Sequence, residues 1–178
     1  MNLGQLKNLF AMAGAEKLYA KQLAENDNSK NQIYFAGTNE ALNAFPSEQI
    51  LAANTKKGPS FKARLNFSWL LESGQIVPAP NAQFILYAQY PEIRFSGFLN
   101  GCKVSPNELM WDRQRAQKGT TTQREALIDR ILFIAVTKDR RLLGYVVAGN
   151  STLAREFRQQ SFEDAFVVFK DIPLPNSI

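Results

Sequence analysis

The sequence predicts a mainly β domain with few short helices, folded as an open barrel of about seven strands. Three stretches carry that expectation. Phe61, Ala63, Leu65, Phe67, Trp69 and Leu71 alternate with Lys62, Arg64, Asn66 and Ser68. This period of two turns one strand face to a core and the other to solvent or ligand, and Leu70 alone breaks it. After the Glu72-Ser73-Gly74 turn, Gln83 to Tyr90 and Ile93 to Leu99 continue as strands, with Asn100-Gly101 as the next turn signal. Ile131 to Thr137 and Leu142 to Val147 form a hairpin across Lys138-Asp139-Arg140-Arg141, and Ala165 to Phe169 reads as a last strand. At least six strands around few helices suggest a barrel that stays open.

The helices are short. Leu3, Leu6, Phe10 and Ala13 share one face of an N-terminal helix that Gly14 can end in a left-handed conformation. Thr38 to Ala44 forms a second, stopped before Phe45-Pro46. Ser105-Pro106-Asn107-Glu108 has capping-box spacing with proline at the first helical position, so a short helix starts there. Ser151 caps another that reaches about Gln160. No internal repeat or linker divides residues 1–178, which read as a single domain with enough apolar content, 45%, for a real core.

Composition excludes more than it selects. With no histidine, Ser/His/Asp and Cys/His catalysis and every His-ligated metal site are ruled out on inventory. A single cysteine, Cys102, makes neither an internal disulfide nor a Cys-rich zinc site, and reads as a structural thiol. No apolar run approaches the roughly 20 residues that span a bilayer, and Met1-Asn2-Leu3-Gly4-Gln5 is no signal peptide, so a soluble cytoplasmic protein with no membrane partner and no cofactor is expected. Lysine and arginine total 21 against 16 acids, a formal charge of +5 that favours a polyanionic partner.

Two polar excursions interrupt the apolar pattern. From Lys21 to Gln32, ten of twelve residues are polar, with asparagine and glutamine over-represented. Their amides carry a donor and an acceptor, the chemistry that reads an adenine edge, while Lys21 and Lys30 supply charge for phosphate or guanine. A solvated loop is the plain alternative, because Asn, Asp and Ser also initiate turns. Tyr87 to Arg94 is the second, where Pro91 breaks the strand ladder and biases Tyr90 to an extended backbone. It reads alternatively as an edge hairpin with Glu92 and Arg94 in water. Together they look like a pair of recognition arms.

These residues also carry a resemblance. Lys21-x-Leu23-Ala24-x-Asn26-Asp27, then Gln32-Ile33-Tyr34-Phe35 and Ala44-Phe45-Pro46-Ser47, are similar to the start of the EcoRII-type restriction endonucleases, whose N-terminal effector domain has the B3-like fold. Ala63-Arg64 and Ile93-Arg94-Phe95-Ser96-Gly97 look like later strands of that domain. The stretch from Tyr90 to Cys102 also resembles N-terminal regions fused to MvaI/BcnI-family nucleases. The match covers residues 15 to 102 in scattered patches.

The resemblance implies a B3-like pseudobarrel that binds a specific duplex DNA sequence through two arms in the major groove. It would act as effector or targeting domain of a type II restriction endonuclease, on a CCWGG-type site. Its nuclease catalytic domain, in the same full-length polypeptide, is not present in this chain. Carried over, Lys21, Asn26, Asp27, Asn28, Lys30, Asn31 and Gln32 fall in the first arm with Arg64 at its flank. Tyr87, Gln89, Tyr90, Glu92 and Arg94 fall in the second. Arg94, Asn26 and Gln32 are the candidate base readers. The family's first arm is richer in Gly and Thr and its second longer and more basic, so individual base contacts do not transfer.

From Asp112 to Arg130, Arg113, Arg115, Lys118, Arg124 and Arg130 lie among Gly119, Thr120, Thr121 and Thr122. This composition suits a mobile loop whose Lys118 and Arg124 touch phosphates without reading sequence, or a merely solvated segment. No Asp or Glu is followed two residues later by Lys, as PD-(D/E)xK nuclease chemistry requires; Glu92-x-Arg94, Asp139-x-Arg141 and Glu156-x-Arg158 are the nearest imitations. The chain therefore reads as a binder and not an enzyme. Two alternatives stay open: an unusual Mg²⁺-dependent nuclease using Glu92, and a barrel that binds single strands or protein through Tyr87, Tyr90 and Trp111.

Overall fold

The computed structural model describes residues 1–24, 27, 32–36, 45, 49–55, 58–87, 92–103, 109, 111, 118–161, 170–172 and 174. Three helices and eleven strands lie within them: α1 (Leu3–Met12), α2 (Thr121–Leu127) and α3 (Thr152–Ser161), with β1 (Ala15–Gln22), β2 (Ile33–Ala36), β3 (Gln49–Thr55), β4 (Gly58–Arg64), β5 (Phe67–Leu70), β6 (Ile76–Pro78), β7 (Gln83–Tyr87), β8 (Glu92–Ser96), β9 (Ile131–Thr137), β10 (Leu142–Val147) and β11 (Lys170–Ile172). The expected mainly β class holds, in two sheets that stay open. One has the order β11-β1-β9-β10-β5-β6, the other β2-β8-β7-β4-β3. All pairings are antiparallel except β10 with β5.

Local chemistry sets the entry to the first sheet. The Asn2 side chain accepts from the Gln5 N–H while the Gln5 side chain accepts from the Asn2 N–H, a reciprocal cap that starts α1. Leu3, Leu6 and Phe10 face inward. Gly14, at φ +83°, then reverses the chain into β1, a turn a Cβ would strain.

The faces sort by the strand period of two. On β9, Ile131, Phe133 and Ala135 join Leu18, Ala20, Leu143, Tyr145 and Val147 in a layer covered by α1 and by Leu153, Ala154 and Phe157 of α3. Leu132 and Ile134, on the other face, meet Phe67, Trp69, Phe84, Phe95, Ile33 and Phe35 in the core shared by the two sheets. Its aromatics pack edge to face: Phe67 lies 5.0 Å from both Trp69 and Phe95.

The long alternating strand read at 61–71 is two strands. The chain leaves β4 after Arg64 and enters the other sheet at Phe67, and Ala63, Leu65, Phe67 and Trp69 keep facing the shared core through the bend. The break at Leu70 has its reason here. β5 is buried on both faces, Trp69 inward and Leu70 toward the helical layer, so no polar residue is needed there.

Other differences are local. The hairpin expected at 131–147 pairs Val136 with Leu142 and Ile131 with Val147. The segment from Asp112 to Arg130, read as a loop, contains α2, started by Thr120 in a capping box with Gln123. Lys21 and Gln22 end β1 rather than open a loop. The helices expected at 38–44 and 105–108 and the strand at 165–169 lie outside the described residues. No described helix is long and apolar enough to cross a membrane.

Candidate nucleic-acid interface

The face of the five-stranded sheet turned away from the shared core is set by its register. Tyr34 pairs with Arg94, Arg94 with Ile85 and Ile85 with Lys62; Gln83 pairs with both Ser96 and Arg64, and Ser60 with Tyr87. Directly opposed residues share a face. The described side chains there include Lys62, Arg64 and Arg94 and no carboxylate. Arg64 is exposed, Lys62 half-buried and Arg94 buried. Glu92 has the parity of this face at its rim, and its side chain lies outside the described residues. Tyr34 and Lys62, which the sequence reading did not single out, belong to it. Their signal is the alternation Ile33-Tyr34-Phe35 and Phe61-Lys62-Ala63.

Arg94 is flanked by one ring from each neighbouring strand. Its Cζ lies 4.6 Å from the Tyr87 ring centroid and 5.1 Å from that of Tyr34, both within cation–π range. Only 8% of the residue is exposed. This corrects the reading that leaves Arg94 in water. It also weakens the Glu92-x-Arg94 imitation of a catalytic acid and lysine, because the guanidinium is engaged between two phenol rings.

The first polar run is held at its root. Lys21 Nζ donates to Asp27 Oδ2 at 2.6 Å, with 6% and 1% of the two side chains exposed. Asp27 Oδ2 also accepts from the Ala24 N–H at 2.8 Å and Oδ1 from the Tyr34 N–H at 2.9 Å. Lys21 and Asp27, expected among the DNA-facing groups, are thus spent inside the protein on each other and on the backbone where the run leaves and returns. Gln32, half-buried, accepts from Tyr34 Oη at 3.4 Å. Asn26, Asn28, Lys30, Asn31, Gln89 and Tyr90 lie outside the described residues.

The basic segment meets this root. The Leu23 N–H donates to the Arg130 carbonyl at 2.7 Å. Arg130, the last cation of the basic segment, is fully buried, with Cζ 4.3 Å from the Trp111 ring centroid. Burial pulls its pKa down to about 10, opposed in part by the charge of Asp27. It stays protonated at neutral pH and acts as scaffold. Trp111, 3% exposed, packs on Trp69 and Phe98, which removes it as a stacking platform for single strands. Lys118 and Arg124 are exposed, Arg124 on α2.

No cluster of three or more His, Cys, Asp or Glu that would hold a metal ion occurs among the described residues. No protein-family model matches the sequence, and no curated relative does either. Among solved structures, the B3 domain of the UbaLAI restriction endonuclease, solved with cognate DNA, matches with 18% identity over 94% of this chain and 95% of that one, at a TM-score of 0.43.

Proposed function

We propose that this chain is a sequence-specific double-stranded DNA-binding domain that acts as the effector or targeting domain of a type II restriction endonuclease. One observation supports it above the others: a sheet face that presents the exposed Arg64 and the half-buried Lys62 and, among the described side chains, no carboxylate. A polyanion meets no like charge among those side chains, and a guanidinium or an ammonium is the group suited to phosphate and guanine. An asparagine- and glutamine-rich run springs from a buried clamp at one end of β2, and a second polar segment joins β8 at the other end. The amides supply adenine-edge chemistry; the exposed Lys118 and Arg124 supply contacts that orient without reading.

Cleavage belongs to a separate nuclease domain in this reading. The sequence holds no acid with lysine two residues on, and Arg94, the nearest substitute, is packed between tyrosines. The resemblance to the EcoRII type nominates a CCWGG-type site.

The test is selection of bound duplexes from a randomised pool, then affinity for selected and random duplexes at several salt concentrations. The expected result is a short motif, with affinity that falls steeply with salt as counterions are displaced. Equal affinity for selected and random duplexes at every salt concentration refutes the reading.

A further inference from the structure

The two polar segments are joined through the interior. Asp27 fixes the first by accepting from the Ala24 and Tyr34 N–H groups, and Lys21 holds the carboxylate from the end of β1. The Tyr34 ring then lies against Arg94, and Arg94 lies against Tyr87, the residue that opens the second segment. We propose that Asp27 and Arg94 are positioning residues in one continuous link, Lys21–Asp27–Tyr34–Arg94–Tyr87, that sets the two segments relative to each other. They govern discrimination between DNA sequences without touching a base. The inference rests on the DNA-binding reading above and adds to it how that site is held in shape.

The chemistry favours positioning over reading. A base reader must bring its donors to a groove edge, and Arg94 sits on strand β8 with a ring beside it from each neighbouring strand. Asp27, 1% exposed, has both carboxylate oxygens occupied by protein donors. Contacts that interlock in this way lose more together than singly, because removing one frees its neighbours to shift.

Two substitutions test the link. Arg94→Lys keeps the charge and loses the planar group; Tyr87→Leu removes one ring and leaves Arg94. In selection from a randomised pool, Arg94→Lys and Tyr87→Leu should each lower discrimination about tenfold. The loss should spread over base pairs across the motif, while affinity for random duplex holds within about twofold. A loss confined to one base pair in Arg94→Lys makes Arg94 a reader and overturns the proposal. Undiminished discrimination in both also overturns it. A DNA-free measurement separates this from failure of the DNA reading: amide hydrogen exchange at Ala24 and Tyr34 in Tyr87→Leu. Exchange about tenfold faster than wild type supports the link, and unchanged exchange refutes it whether or not any duplex is bound.

Discussion

Asp27→Asn is the most informative single perturbation of this fold. The amide has nearly the carboxylate's shape, so packing is conserved and the change is electrostatic. It leaves the Lys21 ammonium, 6% exposed, without its counter-charge at 2.6 Å. Breaking a buried pair from one side costs about 3 to 5 kcal/mol. The amide also offers one accepting oxygen where the carboxylate offered two, so the N–H of either Ala24 or Tyr34 loses its acceptor, at about 1 to 3 kcal/mol. The sum, about 4 to 8 kcal/mol, is a large part of the roughly 5 to 15 kcal/mol that holds a domain of this size. Lys21→Met should be milder, because Asp27 keeps both backbone donors and the nearby positive charge of Arg130. The double variant Lys21→Met/Asp27→Asn should then be more stable than Asp27→Asn alone, since the Lys21 charge is no longer stranded, while both lose the attraction of Asp27 for Arg130 equally. Urea unfolding followed by fluorescence of Trp69 and Trp111, both in the shared core, reads these stabilities. A loss below about 1.5 kcal/mol in Asp27→Asn, or a double variant no more stable than it, refutes the electrostatic account.

Other expectations follow from separate contacts. Lys118→Ala and Arg124→Ala, at exposed cations, should weaken selected and random duplexes by similar factors and flatten the salt slope by roughly one unit per lost phosphate contact; a change in discrimination at either site would contradict that assignment. Gly144→Ala places a Cβ 2.3 Å from Phe67 Cζ and 2.9 Å from Trp69 Cζ3, across the parallel β5–β10 pair, and should cost about 1 to 3 kcal/mol in urea unfolding, where a neutral result would mean the two rings yield freely. Burial, then the charge of Glu72, pushes the Tyr145 hydroxyl up to about 12 from 10.0. The unfolded chain therefore releases this proton first, and the stability it contributes, present in full below pH 10, is lost as pH rises toward 12. Tyr145→Phe should remove that part of the alkaline slope, as compared with wild type in unfolding curves between pH 9 and pH 12.

Much of the fold was legible because period-two patterning is a local signal. The 131–147 hairpin and the N-terminal helix were read from residues that contact their own sequence neighbours. The bend at Leu65-Asn66 was not, because Ala63, Leu65, Phe67 and Trp69 alternate without a break whether they lie on one strand or pass between two sheets around a common core. Threonines and charges disguise the helix α2 in the sequence, although Thr120-x-x-Gln123 is a capping signature.

The site divides along the same line. Polarity located the two segments, since Asn, Gln, Lys and Tyr runs stand out from apolar strands in any sequence. Which polar groups face outward depends on partners distant in sequence: Arg94 meets Tyr34 sixty residues away, and Arg130 meets Trp111 across the end of the basic segment. A charge is buried when the fold brings it a compensating group, and sequence spacing carries no trace of that. The same geometry gives the short strand β2 its weight. Its four residues run from Ile33, which the first segment enters, to Ala36, which pairs with Glu92 where the second returns. At about 3.3 Å per residue the two roots stand roughly 10 Å apart, close to the major-groove width of about 12 Å. In the proposed DNA-binding reading, segments rooted at that separation reach opposite sides of one groove, provided the strand between the roots does not flex. Tyr34 is held there by its N–H to Asp27 and by its ring against Arg94, in addition to the ladder that pairs β2 with β8.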